Sequence, residues 1–170
     1  MTAPPDFADG TERPLAEGFI LLQRLRGLIG TAIIALVLLV AIAITTPSAS
    51  LSPPLVLALL AGWATLAVGL GAWTWFWPLL EYRRTAWRLG EGGLEIRRGV
   101  LWREVVSVPR TRIQHTDVTH GPIERSFGLA TLVVFTAGTE HASVTLPGLT
   151  SALADQMRDY LIAGGGRDAV

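Results

Sequence analysis

The stretch that decides the architecture is GLIGTAIIALVLLVAIAI, which runs from Gly27 to Ile44. Leu, Ile, Val and Ala make up most of it, and it contains no charged residue. At a rise of about 1.5 Å per residue, the run measures about 27 Å as a helix, which is close to the thickness of the hydrocarbon core of a bilayer. The sequence therefore predicts a membrane-spanning helix here.

A signal peptide is the alternative interpretation of this first run. A signal peptide begins with a short basic segment, whereas here a polar, Pro-containing tail of more than twenty residues comes first. The run is also longer than the apolar core of a signal peptide, and a second apolar run follows it. These features favour a true span.

The second apolar run extends from Pro53 to Leu80 and predicts a helix from Leu55 to about Trp77. Its last turns are rich in aromatic side chains, which favour the headgroup level of a membrane: Trp73, Trp75, Phe76 and Trp77. The connection TTPSASLSPP is short, uncharged and rich in turn-forming residues. The two helices should therefore be antiparallel neighbours.

Small residues recur four positions apart in the second run, a spacing that lets two helix backbones approach closely in lipid. The pairs are Ala58/Gly62, Thr65/Gly69 and Ala67/Gly71. Their partner is either the first helix of the same chain or a second copy of the chain.

Charge is distributed very unevenly along the chain. Only 16% of the residues are charged, against about 25% in a typical soluble domain, and none lies between Gly27 and Leu80. Arginines flank the apolar runs on their outer sides, at positions 24, 26, 83, 84 and 88, and the connecting loop has none. Because short Arg-rich segments stay in the cytoplasm, both termini are predicted to be cytoplasmic.

The composition also argues against two functional classes. The net charge is zero, which does not suit a protein that binds nucleic acid by neutralising phosphates. Cysteine is absent, so disulfides, thiolate zinc sites and cysteine nucleophiles are excluded together.

From Tyr82 onward the hydrophobic period changes to two, which indicates β-strands. The predicted strands cover 85–90, 93–99, 101–108, 111–119, 129–137 and 141–147. Turn signals separate them at Gly90–Gly93, Gly138-Thr139 and Pro147-Gly148. Val105 and Val106 are adjacent in a strand that otherwise alternates, which predicts a β-bulge or burial on both faces there.

Two helices are predicted within this β-rich part. The segment Gly121–Gly128 has Pro122 at a helix start and Gly128 at its end, and its Ile123 and Phe127 can cover an open barrel end. A last helix from about Ser151 to Ile162 is capped by Thr150 or Ser151. Its apolar stripe, which indicates core packing rather than a ligand site, consists of Leu153, Met157, Tyr160 and Leu161.

The stretch VPRTRIQHTDVTHGPIERSFGLATLVVFTAG, from Val108 to Gly138, resembles the bacterial pleckstrin-homology domain 2 family, in its YdbS-like membrane proteins. The resemblance rests on the Ile-Gln strand, the helix that starts at Gly-Pro, the Phe-Gly-Leu-Ala segment and a Val-rich strand, preceded by two membrane helices. It covers roughly residues 25–162. It implies a pleckstrin-homology-like split barrel capped by the C-terminal helix, in a bacterial cytoplasmic membrane protein.

The chain departs from the wider family pattern in two ways. Six strands are predicted, whereas the eukaryotic fold has seven. The first hairpin turn, Gly90–Gly93, lacks the basic residues that bind inositol phosphates in lipid-binding members. Phosphoinositide recognition is therefore not inferred.

These patterns predict a membrane α-helical hairpin followed by a mainly β split barrel with a C-terminal capping helix. The predicted boundaries are a flexible cytoplasmic tail over 1–24, a transmembrane hairpin over 25–80, a pleckstrin-homology-like domain over 82–163 and a loose tail over 164–170.

Candidate chemistry is sparse. His115 and Asp117 share a strand face at positions i and i+2, but His120 should point to the other face, and His141 is the remaining histidine. Two ligands without cysteine make a poor metal site, and no nucleophile elbow or phosphate-binding loop occurs. We therefore predict neither a metal nor a cofactor nor an enzyme.

An arginine cluster in the β-rich part has two interpretations: Arg97, Arg98, Arg103, Arg110 and Arg112. It could face anionic lipid headgroups, or it could be an ordinary solvated strand face with Glu95 and Glu104 interleaved, which we favour. Weak partner-binding candidates are Arg110, Arg112, His115, Asp117 and Arg125.

The sequence is most consistent with a membrane-anchored, non-enzymatic interaction module that presents its domain to a protein partner. The expected partner is another membrane protein with a similar domain or a second copy of this chain, and no nucleic acid. The alternatives are a sensor of anionic lipid headgroups and an accessory subunit of a membrane enzyme or transporter. The spans contain no ionisable residue, which transport or proton relay would normally need.

Overall fold

The computed structural model describes residues 5–48, 51–137 and 143–165, and these divide into two compact units. One unit is the helical hairpin, 23–79; the other combines the residues up to Leu22 with those from Leu80 onward. The elements, in chain order, are a 3-10 turn (Asp6–Ala8), β1 (Arg13–Pro14), α1 (Gly18–Ser48), α2 (Pro53–Arg84), β2 (Ala86–Gly90), β3 (Gly93–Arg98), β4 (Glu104–Pro109), a second 3-10 turn (Arg110–Arg112), β5 (Ile113–Thr119), α3 (Pro122–Ser126), β6 (Leu129–Thr136), β7 (Ser143–Thr150) and α4 (Ser151–Gly165).

Both helices of the hairpin are long and apolar enough to cross a membrane, over Gly18–Pro47 and Pro53–Arg84. Their Leu, Ile and Val side chains are largely exposed along the spans, as expected where lipid takes the place of a protein core. This confirms the predicted pair of membrane helices. The helices extend beyond the predicted hairpin, 25–80, at both ends.

The two helices meet through a tryptophan and a glycine. The Nε1–H of Trp63 donates a hydrogen bond of 2.8 Å to the carbonyl of Ala35. A Cβ at Gly27 would lie only 2.8 Å from Cγ2 of Thr74, so this glycine allows the backbones to approach. Three glycines of the predicted small-residue stripe do not take part in this contact: within the described part of the chain, nothing lies within 4 Å of a Cβ placed at Gly62, Gly69 or Gly71. A second copy of the chain stays the other predicted partner of the stripe.

The β-rich part forms two antiparallel sheets, with strand orders β1-β2-β3-β4 and β5-β6-β7. Together with α4 they form the predicted split barrel. The core lies between the sheets and α4, and its largest fully buried side chains are Trp87, Leu22, Leu89, Leu94, Ile96, Leu132, Leu146, Leu149, Met157, Leu161 and Val134. All six predicted strands are present. A seventh strand, β1, is added by the segment that precedes the membrane hairpin.

The prediction of a flexible tail over 1–24 is wrong for the residues that the structure describes. Arg13 and Pro14 pair with Trp87 and Ala86, which makes β1 the edge of the first sheet. The segment also buries apolar side chains in the core of the domain: Phe7, Ala8, Leu15, Phe19 and Leu22. These residues are separated by Pro, Gly and acidic residues without a regular period, so the sequence pattern did not indicate their burial.

The predicted turn at Pro147-Gly148 is instead a β-bulge inside β7. Ala130 pairs with Leu149 but Leu132 pairs with Leu146, so β7 contains one extra residue between these pairs. Gly148 has a φ of +74°, and its carbonyl accepts a 2.7 Å hydrogen bond from the N–H of Ala16. A Cβ at Gly148 would lie 2.7 Å from the ring of Phe19. The bulge is therefore one of the sites at which the N-terminal segment packs, besides its pairing with β2.

The adjacent valines of β4 produce neither the predicted bulge nor burial on both faces. The β3–β4 register is regular, with Val106 opposite Ile96 and Val105 opposite Arg97. Val106 packs against the core, whereas Val105 is exposed. An apolar side chain thus lies on the solvent face of an edge strand.

The two helices of the domain agree with their predicted caps. Glu124 accepts a 2.9 Å hydrogen bond from the N–H of Gly121 at the start of α3, and Gly128 has a φ of +63° after its end. Thr150 Oγ1 accepts a hydrogen bond from the N–H of Leu153 at the start of α4. The predicted tail over 164–170 begins too early, because α4 continues to Gly165; residues 166–170 lie outside the described part.

Candidate functional site

The strand β4 lies at one end of the first sheet, and its free edge is a candidate binding feature of the domain. In the described part of the chain, β4 pairs with β3 along one edge, and no strand pairs with the other. A strand edge of this kind presents unpaired backbone N–H and C=O groups to another chain. The edge can therefore bind an extended segment through backbone hydrogen bonds.

A small groove lies beside this edge, and we call it the β4-edge groove. It encloses a volume of about 120 Å³ and is lined by Val106, Ser107, Val108, Pro109, Arg112, Thr136 and Val144. Most of the lining is apolar, and the exposed Arg112 adds the one basic side chain among these lining residues. Its size suits a single side chain of a bound segment.

Arg110 and Arg112 lie in the same short turn but have different surroundings. The Arg110 guanidinium stacks over the ring of Tyr160, with Cζ 4.3 Å from the ring centroid, and Nη2 donates a 2.9 Å hydrogen bond to the Tyr160 carbonyl. These contacts join α4 to the turn after β4. Arg110 therefore has a structural contact, whereas Arg112 remains exposed at the groove.

His115 and Asp117 lie side by side on the exposed face of β5, as their spacing predicts. Nε2 of His115 is 3.8 Å from Oδ2 of Asp117, and the imidazole stacks on Phe135 at a centroid distance of 4.2 Å. Both side chains are solvated, each with 58% of its surface exposed.

The remaining polar candidates lie on other elements. Arg125 is exposed on α3, and Nδ1 of His120 is 3.4 Å from the carbonyl of Leu129; His141 lies outside the described residues. Across residues 5–48, 51–137 and 143–165, no three His, Asp or Glu side chains come together as a metal site. Of the five predicted binding residues, only Arg112 lines the groove, and only His115 and Asp117 are in contact.

The predicted arginine cluster is divided in the structure. Arg97 Nε donates a 3.0 Å hydrogen bond to Glu95, and Arg98 Nε donates one of 2.8 Å to Glu104. A hydrogen bond from Arg88, with help from Arg97, holds the pKa of Glu95 below its usual range. These pairs form a solvated, charge-balanced strand face.

The sequence predicts that a barrel of this kind can expose a strand edge, but it does not identify β4 as that strand. The free edge depends on which strands pair, and no local pattern encodes that pairing. The β3–β4 connection also exposes Leu101 and Trp102, whose relative accessibilities are 79% and 86%. The adjacent Trp102 and Arg103, an interfacial combination outside the spans, were the available signal.

Comparisons with known proteins agree with this architecture. The family model of the bacterial PH domain matches residues 19–164. The chain is also similar to the UPF0699 transmembrane protein YdbS of Bacillus subtilis (strain 168), with 34% identity over 83 residues. That match covers 48% of this chain and 50% of the relative, so the chain spans about half the length of the curated relative it matches. No solved structure matches the chain.

Proposed function

The chain belongs to the bacterial PH domain family, and from this premise we propose that it is a membrane-anchored, non-enzymatic interaction module. The hairpin holds the protein in the bilayer, and the domain offers the β4-edge groove to a protein partner. The observation that carries the proposal is the unpaired edge of β4 beside a groove for one side chain.

The chemistry of the groove suggests what the partner supplies. An extended segment would hydrogen-bond to the β4 backbone and place an apolar side chain against Val106 and Val144. An acidic or carbonyl oxygen nearby would accept from the Arg112 guanidinium. Strand addition of this kind obtains its affinity from the backbone and its specificity from the groove.

The partner we propose is a second membrane protein with a similar domain, or another copy of this chain. Both would be confined to the same membrane, which raises their effective concentration. Pairing with a dissociation constant on the order of micromolar or weaker could then still be occupied.

A non-enzymatic role fits the polar residues of the domain. The His115–Asp117 pair lies on an open strand face, and Arg110 is engaged with Tyr160. A catalytic pair would normally lie in a cleft that positions the substrate and limits water. An accessory role within a membrane enzyme or transporter stays the alternative, in which the catalytic groups belong to the partner.

We further propose that both termini are cytoplasmic, because arginines flank the hairpin on its outer sides. The chain has no cysteine, so Ser52→Cys, in the connection between the helices, would be a unique label. It should react with a membrane-impermeant thiol reagent in intact bacterial cells, whereas Ser143→Cys in β7 should react only after permeabilisation. The reverse pattern would place the domain outside.

Photo-crosslinking in native membranes tests the binding role. A crosslinking amino acid at Ser107, on the β4 edge, should yield protein adducts, whereas the same group at the exposed Ser126 of α3 should yield few. Two differently tagged copies of the chain distinguish a self-adduct from an adduct with another protein.

A charge reversal supplies the matched control. Arg112→Glu should weaken the Ser107 adducts, whereas Arg125→Glu, at an arginine that is also exposed but lies on α3, should leave them unchanged. Equal adducts from Ser107 and Ser126, or indifference to Arg112→Glu, would refute the β4-edge groove as the binding surface.

A further inference from the structure

The connection between β3 and β4 has an unusual surface for a segment outside the spans. Residues 99–103, which we call the β3–β4 tip, contain the most exposed large apolar side chains of the described residues, Leu101 and Trp102. Val105, at the start of β4, adds a third exposed apolar side chain. A monomer in water gains nothing from exposing a tryptophan and a leucine side by side.

The β3–β4 tip is held in a fixed shape. Gly99 has a φ of +120°, and a Cβ there would lie 1.7 Å from the carbonyl oxygen of Trp102, so only glycine fits. The Arg98–Glu104 ion pair, at 2.8 Å, closes the base of the tip. The exposure of the two apolar side chains is therefore a property of the turn itself.

Several arginines lie beside the β3–β4 tip. A cleft of about 330 Å³ next to it is lined by Glu12, Arg83, Arg84, Ala86, Arg97, Arg98, Gly99, Arg103, Glu104 and Val105. Its two carboxylates are engaged, Glu12 with Arg97 and Glu104 with Arg98. Arg83, Arg84 and Arg103 are exposed, and none forms an ion pair with the acidic residues that the structure describes.

Chain connectivity relates this surface to the bilayer. Arg83 follows Leu80, the last residue of the uncharged run, by three positions, so Arg83 and Arg84 belong at the membrane surface. They line the same cleft as the β3–β4 tip. A bilayer surface supplies what this region lacks: an apolar layer for Leu101 and Trp102, and phosphate oxygens for the arginines.

We propose that the β3–β4 tip inserts into the interfacial layer of an anionic membrane. Leu101 and Trp102 enter the boundary between headgroups and acyl chains, where an indole ring is favoured. Arg83, Arg84 and Arg103 bind lipid phosphates at the surface, as basic residues close to a membrane do. The domain is thereby held at a second point besides its connection to α2, which restricts its rotation.

This surface is distinct from the β4-edge groove, because Val105 and Val106 lie on opposite faces of β4 and line different cavities. Membrane insertion and partner binding can therefore occur together. The tip needs no stereospecific headgroup pocket to bind anionic lipid. Insertion of the apolar side chains and attraction between arginines and phosphates supply the binding free energy.

Depth-dependent quenching on the full chain tests the proposal. We would place an environment-sensitive fluorophore on Leu101→Cys, in nanodiscs that hold one copy of the protein. Lipids with a quencher near the headgroup should quench it, whereas the same fluorophore on Ser126→Cys should remain unquenched. We define the inserted-to-free ratio as the number of molecules whose tip is in the membrane divided by the number whose tip is not. In phosphatidylglycerol-containing discs, this ratio should fall about fivefold for each of three single substitutions, Arg83→Gln, Arg84→Gln and Arg103→Gln.

Further variants separate the apolar and electrostatic parts. Trp102→Ser in the Leu101→Cys background should lower the inserted-to-free ratio about tenfold or more, since the main interfacial anchor is lost. Arg125→Gln, an exposed arginine far from the cleft in sequence, should leave the ratio unchanged. Raising the salt concentration, or replacing phosphatidylglycerol with phosphatidylcholine, should reduce quenching in the parent.

Two results would overturn the proposal. The first is a fluorophore at position 101 that stays unquenched in phosphatidylglycerol discs. The second is protection of that fluorophore only when a disc holds two copies, which would make the β3–β4 tip a contact between chains.

Discussion

The membrane hairpin and the segment that precedes it, residues 5–22, both contain apolar side chains, yet the two parts are ordered for different reasons. Within 23–79, apolar side chains face outward, and lipid solvates them in place of a protein core. Within residues 5–22, scattered apolar side chains are buried against strands that lie far along the chain, for example at the bulge of β7 around Gly148. Composition is enough to infer that lipid surrounds the hairpin. It is not enough to infer which distant residues bury the side chains of 5–22.

The largest effect is expected from a fragment that lacks the preceding segment. Residues 82–170 contain the six strands predicted from sequence, but without 5–22 they lose β1 and five buried apolar residues. The fragment should show no cooperative thermal unfolding by circular dichroism. Adding a peptide of residues 5–22 should restore a transition whose midpoint rises with peptide concentration. A fragment that unfolds cooperatively alone would mean that the segment is dispensable.

Two neighbouring leucines test the same point by single substitutions. Leu22 is 1% exposed and Leu21 is 57% exposed, although both lie at the start of α1. Leu22→Ala should lower the free energy of unfolding of the domain by about 4 kcal/mol, whereas Leu21→Ala should change it by less than about 1 kcal/mol. Denaturation of the purified full chain in detergent would measure both. Equal effects would contradict the specific burial of the segment.

A charge on an exposed position should distinguish lipid from water as the solvent. Leu36 of α1 is 61% exposed and Ile162 of α4 is 52% exposed. Leu36→Arg should cost about 3 kcal/mol of membrane insertion, because the charge would lie in the hydrocarbon core. Ile162→Arg should leave both membrane insertion and domain stability within about 0.5 kcal/mol of the parent. The fraction of protein that stays in the membrane after alkaline extraction measures membrane insertion. Thermal unfolding measures the stability of the domain.

The smallest expected effect concerns the Asp9 carboxylate, which accepts hydrogen bonds within residues 5–22. Hydrogen bonds from the hydroxyl and N–H of Thr11, with help from Arg13, lower the pKa of Asp9 from its ordinary value of 3.8. A lowered carboxylate pKa stabilises the folded state above about pH 4, and this contribution is lost as the pH falls through the lowered value. An NMR titration of the Asp9 carboxyl should show the shift, and Thr11→Ala should move the pKa back toward 3.8. An unshifted Asp9 would mean that this turn is not formed.

Local patterns determined most of the secondary structure. The apolar runs specified both membrane helices, the period of two specified the strands from β2 to β7, and Pro122 and Gly128 marked the two ends of α3. In each case the physical cause acts within a few residues, through solvent preference, alternation across a sheet or backbone conformation. The cytoplasmic position of both termini also rests on such a pattern and stays a prediction.

Tertiary structure alone decided the features on which the proposals rest. Pairing of β1 with β2 and the bulge at Gly148 each depend on a segment more than seventy residues away. The free edge of β4, the stacking of Arg110 on Tyr160 and the exposed face of Trp102 depend on which elements become neighbours. Sequence determined where apolar and charged residues occur, but whether each meets lipid, water or another strand is set by long-range contacts, whose free energy no local period encodes.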